Sequence, residues 1–488
     1  MRVLQVCAEL FPLVKTGGLA DVCGALPAAL ARHGCDVRVL MPALPAARRG
    51  LSDLSEMDVG AIGDGSARLL RGTLPDGTSI YLIDSPLFDR EGGPYAGVDG
   101  RPFEDNHRRF ALLGRVAALF AEGLDPSWQP RVIHGHDWHT GLAPAYLRAA
   151  SARHGRRLAG TVFTVHNLAY QGLFPMTVRA DLGLPSSFFR MQGLEFYGQV
   201  SFLKAGLVYS DKLTTVSPTY AQEIQGPEQG CGLDGVLRER SDDLSGILNG
   251  VDRRIWDPST DPHIAAAYTD EDLAGKATCR ATLQAEFGLD GQRDAPLFGV
   301  VSRLAEQKGL HLVLAGLPEL LRRGAQLVVL GSGDASLESG LRDAAAAHPS
   351  CVGVRLGYDE ALAHRIVAGA DVILVPSRFE PCGLTQLYGL CYGTLPLVRR
   401  VGGLADTVVD CALENLADDV ATGFVFHDFD AADFLAAARR ATVLLRRRDD
   451  WRRVQRRAMS QRFDWNSAAA QYAALYEQVG VRPMLQVA

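Results

Sequence analysis

Val3-Leu4-Gln5-Val6, then Lys15-Thr16-Gly17-Gly18, then a helical pattern over Ala25–His33, Gly34, and Val37-Arg38-Val39-Leu40-Met41: this opening stretch reads as strand, loop, helix, glycine, strand. The same outline returns in Leu297-Phe298-Gly299-Val300-Val301, Lys308-Gly309, Leu310–Arg323, Gly324 and Gln326-Leu327-Val328-Val329-Leu330. Each unit is a βαβ crossover, which joins parallel strands. The strands are apolar along their length, so helices are expected on both sheet faces. Two such units about 290 residues apart predict two nucleotide-binding-type α/β domains, doubly wound and facing each other across a cleft, not one long sheet.

The rest of the chain keeps this rhythm. Further apolar runs lie at Val132-Ile133, Val162–Val165, Leu213–Val216, Val372–Val375 and Leu395–Val398. Segments with helical spacing lie between runs, as at Arg108–Glu122 and Ala432–Arg447. A polar stretch over Arg238–Asp243 sets the expected boundary near residue 245, giving domains at 1–244 and 245–460. No low-complexity linker separates them.

Composition narrows the class. Lys and Arg number 50 against 56 Asp and Glu, a net charge of −6 that excludes a general nucleic-acid binder. No apolar run approaches the roughly 18 residues of a membrane span, so no membrane partner is expected. The N-terminus enters a strand directly, without signal-peptide layout, and a cytoplasmic protein is expected. Nine scattered cysteines form no C-x-x-C pair, which argues against a disulfide framework or a zinc cage. Only Lys15, Lys204, Lys212, Lys276 and Lys308 are lysines, whereas 45 residues are Arg. In so Arg-biased a chain a surviving lysine is more often needed as a compact point charge.

Polar residues gather just after the strands. His134, His136, Asp137 and His139 follow one run, His166 and Asn167 a second, Ser302, Arg303 and Lys308 a third, and Ser377, Arg378 and Glu380 a fourth. Ligands of open α/β sheets bind at these carboxyl ends. Gly17-Gly18 at a helix start would present amides to an anion, and Asp21 in the first turn could cap that helix or accept a hydroxyl. Arg303 and Lys308 could reach one diphosphate. Glu380-Pro381-Cys382-Gly383-Leu384-Thr385 reads as another strand-to-helix turn, with amides for an anion and a carboxylate for sugar hydroxyls. Gly331-Ser332-Gly333 reads as a turn only. The histidines at positions 134, 136 and 139 do not match a zinc motif; read across a strand end they share no face, and no metal is expected. Asp428-Phe429-Asp430 reads as a helix N-cap.

Taken in order, these motifs resemble the glycogen and starch synthase family. The resemblance rests on Lys15-Thr16-Gly17-Gly18-Leu19-Ala20-Asp21-Val22, His136-Asp137-Trp138-His139, Thr164–Gly172, Gly246–Asp252, Ser302-Arg303-Leu304 with Gln307-Lys308-Gly309, and Pro376–Gln386. It spans almost the whole chain and implies the GT-B fold, two Rossmann-like domains around a deep cleft. It implies transfer of glucose from ADP-glucose to the non-reducing end of an α-1,4-glucan such as glycogen, with retention of configuration and no cofactor. The missing transit peptide points to the bacterial, glycogen-making branch.

The resemblance also implies roles. Arg303 and Lys308 would hold the diphosphate. Glu380 with the amides of Cys382, Gly383 and Leu384 would bind the glucose, and Thr385 would reach a phosphate. His166 would sit beside the reacting sugar with Asp137 close by. Lys15, Gly18, Asp21 and Asn249 would line the donor site, Tyr358 would stack on adenine, and Phe463–Gln478, within 461–488, would be a final helix crossing back to the N-terminal domain. Tyr388 stands where the wider superfamily has a second Glu. A UDP-sugar transferase, a pyridoxal-dependent phosphorylase using Lys204, Lys212 or Lys276, a non-catalytic carbohydrate binder and, remotely, a hydrolase built on the histidine cluster are the alternatives.

Overall fold

A computed structural model describes residues 1–62, 65–291 and 296–480. The chain divides into two compact units, Met1–Gly250 joined by the segment from Trp465, and Val251–Asp464.

In the first unit nine strands form one sheet: β1 (Arg2–Val6), β2 (Asp36–Pro42), β3 (Ser55–Ile62), β4 (Ala67–Thr73), β5 (Ser79–Asp84), β6 (Val132–His136), β7 (Gly160–Val165), β11 (Lys212–Thr215) and β12 (Leu244–Gly246). Between β7 and β11 in sequence, β8 (Leu173–Pro175), β9 (Glu195–Phe196) and β10 (Gln199–Ser201) form a small antiparallel sheet. The order across the large sheet is β12-β11-β7-β6-β1-β2-β5-β4-β3. Parallel pairing runs from β12 to β5, and β4 and β3 add an antiparallel edge. The βαβ at the start is confirmed in register, with Val3 opposite Val37 and Val6 opposite Leu40. Because β12 pairs with β11 through Leu213 and Leu244, the first unit extends past residue 244 to Gly250.

The second unit is a parallel six-stranded sheet of β13 (Leu297–Val301), β14 (Gln326–Gly331), β15 (Val352–Leu356), β16 (Val372–Val375), β17 (Leu395–Arg399) and β18 (Phe424–Phe426). Its order, β15-β14-β13-β16-β17-β18, reverses direction at β13. That reversal puts the loops after β13 and β16 side by side, where doubly wound sheets bind ligands. Phe298, Val300, Val328, Val329 and Ile373 are at most 1% exposed, as the apolar runs require. Helix Leu310–Arg322 packs against helix Ala431–Arg446, whose N-cap is Asp430, accepting from the amides of Ala432 and Asp433 as read from the sequence.

The C-terminal helix Trp465–Val479 belongs to the first unit. Trp465, Ala469, Tyr472 and Tyr476 join Val3, Val22, Leu26 and Leu30 in one buried cluster. No helix among the described residues is long and apolar enough to cross a membrane.

Candidate active site

The loop after β1 is built around a carboxylate that the sequence reading passed over. Glu9, 4% exposed, accepts the amides of Thr16 at 2.6 Å and Gly17 at 3.1 Å, and the Tyr95 hydroxyl donates to its other oxygen at 2.5 Å. Burial, then the Glu9 charge, pushes the Tyr95 phenol well above its ordinary range, so it stays a donor. Of the two amides expected to await an outside anion, that of Gly17 is therefore bound to an internal one, together with its neighbour Thr16. The N-cap position is Gly17, without a side-chain bond, and Asp21 pairs with Lys15 at 3.0 Å. The one local sign of Glu9 is a lone acid in the apolar run Cys7-Ala8-Glu9-Leu10.

The histidines sit deeper than the sequence suggested. β6 runs through His136, so His134 and His136 project from the same face, with ring centroids 4.1 Å apart, and the reading that they share no face is corrected. His134 is bonded to Tyr476 Oη at 2.8 Å and Thr164 Oγ1 at 2.7 Å. His136 Nδ1 lies 3.0 Å from His166 Nε2. His139 stacks on Tyr95, centroids 4.8 Å apart. Burial pushes His134, His139 and His166 down to about 3 and His136 well down as well, so all four rings are neutral. Among the described residues no three metal-ligating side chains gather into one group.

Asp137 follows with φ +57°, a backbone strain uncommon outside glycine and frequent at functional sites. Its carboxylate accepts the amide of His166 at 2.7 Å and that of Asn167 at 3.4 Å, fixing the turn after β7. Burial outweighs those amides and lifts its carboxyl to about 7. Asn249, 6% exposed, has a buried Oδ1 with no protein partner.

In the second unit two loops 72 residues apart interlock. Lys308 Nζ donates to Glu380 Oε2 at 2.6 Å, and Ser377 Oγ donates to the same oxygen at 2.8 Å. Gln307 bonds Phe379 O, and the Arg378 amide bonds Gln307 O. Gly309, at φ +71°, lets these loops meet, since a Cβ there would lie 2.0 Å from Pro376 O. Gly331-Ser332-Gly333 is more than a turn: Leu304 N donates to Ser332 O, and a Cβ on Gly331 would lie 1.9 Å from Ser302 O. Those glycines admit the backbone on either side of Arg303. Gln386 donates to the carbonyls of Cys382 and Gly383, turning them inward. The amides of Gly383 and Leu384 meet no protein acceptor among the described residues. The Thr385 hydroxyl lies 3.5 Å from Val301 O, at the same rim. Tyr358 is 74% exposed, its hydroxyl donating to Glu360. Tyr388 lies flat on Trp256, centroids 3.8 Å apart, inside the unit.

The three lysines outside the motifs have protein partners. Lys204 and Lys276 are buried, donating to the carbonyls of Met191 and Glu195 and to Ala368 O with Thr394 Oγ1 respectively, and Lys212 pairs with Asp243. All three serve as structural clips.

Two tandem doubly wound units with basic and acidic residues on the strand rims define a glycosyltransferase of the GT-B fold. Residues 2–239 match the starch synthase catalytic domain family, and residues 295–442 match glycosyl transferases group 1. The chain is 60% identical to a glycogen synthase of Leptothrix cholodnii over 98% of its own length and 100% of that protein. It is 58% identical to a glycogen synthase of Serratia proteamaculans over the same shares. The catalytic domain of starch synthase IV from Arabidopsis thaliana, bound to ADP and acarbose, superposes with a TM-score of 0.89 at 33% identity, covering 99% of both chains. A sucrose-phosphate synthase from Thermosynechococcus elongatus, 18% identical with a TM-score of 0.59 over 98% of each chain, shares the fold. The chain belongs to the glycogen synthase family.

Proposed function

We propose that this glycosyltransferase moves glucose from ADP-glucose to the non-reducing end of an α-1,4-glucan such as glycogen, with retention of configuration, in the cytoplasm. The observation that bears most weight is the Lys308–Glu380 pair, which joins two separately recognised motifs at 2.6 Å. In this reading Arg303 and Lys308 hold the diphosphate. Glu380 and the amides of Cys382, Gly383 and Leu384 take the glucose hydroxyls, and Thr385 reaches a phosphate. His166, with Asp137 behind it, adjoins the reacting sugar. Lys15, Gly18, Asp21 and Asn249 contact the donor, and Tyr358 stacks on adenine. ADP in the similar plant structure supports an adenine nucleotide.

The charge that develops is on the leaving diphosphate. Fixed cations and free amides stabilise such charge without reorganisation. The acceptor hydroxyl attacks from the face that ADP leaves, and the departing phosphate takes its proton. Positioning, rather than a carboxylate nucleophile, then drives transfer.

Radiolabelled ADP-glucose or UDP-glucose, glycogen and polymer precipitation test this. Label should enter α-1,4 linkages from ADP-glucose, with activity surviving EDTA. Equal use of both donors, β-linked product, or a glucosyl adduct trapped on Glu380 or Asp137 would overturn it. A His166→Ala variant should lose transfer while binding ADP nearly as before.

A further inference from the structure

His136 is fully buried and is bonded to His166 through its Nδ1, 3.0 Å from His166 Nε2. Its other nitrogen, Nε2, is buried with no partner. Both rings are neutral, because burial pushes them well below their usual range, so each holds one proton. One of the two facing nitrogens must supply the hydrogen of the bond, which leaves two arrangements.

If His166 donates from Nε2, the proton of His136 sits on its Nε2 and an unpaired N–H is buried. If His136 donates from Nδ1, its Nε2 is a bare lone pair and no donor is stranded. Among backbone groups, buried N–H donors without partners are rarer than under-satisfied carbonyls, and we carry that order over to the ring nitrogens. The second arrangement is the one that strands no donor, and it has a consequence one ring away. His166 Nε2 is then the acceptor, so the His166 proton lies on Nδ1. That atom has no protein partner among the described residues, which leaves it for a ligand.

We propose that His136 is a positioning residue that holds His166 as its Nδ1–H tautomer, so that His166 offers a bound sugar a donor and withholds its lone pair. This rests on the reading that His166 adjoins the reacting sugar. The chemistry gives the tautomer a purpose. As the bond from C1 to the diphosphate breaks, a bare imidazole nitrogen beside that electron-poor carbon is a nucleophile that would form a C–N bond and trap the sugar. A nitrogen bearing hydrogen has no pair to give. It can only donate to a sugar oxygen, which leaves C1 to the acceptor hydroxyl.

The test is 15N NMR of enzyme labelled at its 12 histidines, with His166 assigned from the His166→Ala spectrum. Native His166 should show a protonated Nδ1 and a bare Nε2. A protonated Nε2 overturns the proposal, and this measurement needs no folded variant of His136. His136→Asn keeps an N–H where Nδ1 stood; it should preserve the His166 signature and keep kcat within about threefold of native. His136→Leu removes the donor; it should mix the tautomers and lower kcat about tenfold, with the donor KM little changed. An unchanged His166 signature in His136→Leu also overturns the proposal. If His166→Ala retains transfer, the assignment of His166 to the sugar fails instead, and the two failures are distinct.

Discussion

The two lysine loops are duplicates in outline and differ in where the partners of their charges and amides come from. After β1, Lys15 pairs with Asp21, and the loop amides bind Glu9, so its charges and donors are balanced within the loop's own neighbourhood. After β13, Lys308 reaches across to Glu380 from another loop, and that second loop holds the amides of Gly383 and Leu384 without a protein acceptor among the described residues. The first loop gives two of its amides to an internal carboxylate; the second keeps two amides with no protein acceptor among the described residues. A shared βαβ outline thus fixes where a loop stands, and the side chains that reach it from elsewhere decide whether it still can bind an anion.

The sharpest way to break this comparison is to remove each lysine. Lys308→Ala should reduce turnover by roughly 10²–10³, the scale for losing one preorganised charge. Lys15→Ala should cost about tenfold, because its partner is internal. Steady-state kinetics with ADP-glucose would settle it; equal losses would end the distinction. Lys308→Arg should also be impaired, since a planar fork cannot take the place of a point charge held 2.6 Å from Glu380.

The loop glycines differ in the same sense. Gly309 has positive φ and backbone 2.0 Å from where a Cβ would go, so Gly309→Ala should destabilise the second unit by about 3 kcal/mol or more. Gly17 is extended at φ −162° with nothing within 4 Å, so Gly17→Ala should change stability by less than about 1 kcal/mol. Denaturant unfolding of both variants compares them, and similar losses would contradict the described loop packing.

Acid should separate the units. The depressed folded pKa values of His134, His139 and His166 mean that the unfolded chain binds protons first. Their stabilisation is present above pH 6.5 and is lost as pH falls toward 3, on the order of 1–2 kcal/mol per ring by pH 5. Asp137 acts in the other direction: its carboxyl is raised to about 7, so the folded state protonates first and gains stability as pH falls from 7 to 4. Hydrogen exchange at pH 5 against pH 7.5 should show the first unit loosening before the second. Asp137→Asn should steepen that loss by removing the opposing group. Preferential loosening of the second unit would refute the assignment.

The smallest effect expected is at Tyr358, an exposed ring that offers contact area and little else. Tyr358→Ala should raise the KM for ADP-glucose about five- to tenfold, on the scale of one lost base stack, while kcat moves less than about twofold. A large fall in kcat with unchanged KM would remove Tyr358 from the adenine.

Much of this was legible in the residues alone. The runs Leu297–Val301 and Val372–Val375 are strands to the residue, because continuous apolar stretches between helical patterns have few other solutions in a doubly wound sheet. The edge strands β3 and β4 were not legible: β4 alternates buried and exposed residues in the manner of a half-covered strand. Glu9 escaped notice because its partner Tyr95 is 86 residues away, and Gly331 because the backbone it admits lies across the sheet at Ser302.

The sequence by itself determined the two α/β units, the family, and which residues stand on the rims of their sheets, since apolar periodicity and ordered motifs are local properties of a chain. Only the tertiary structure decided which amides are already occupied, which lysine faces a carboxylate it did not bring with it, and which ring stands against His166. Those are matters of distances near 3 Å between residues 30 or 72 positions apart, and the strength of a hydrogen bond is set by that distance and by burial, neither of which a linear order of residues contains.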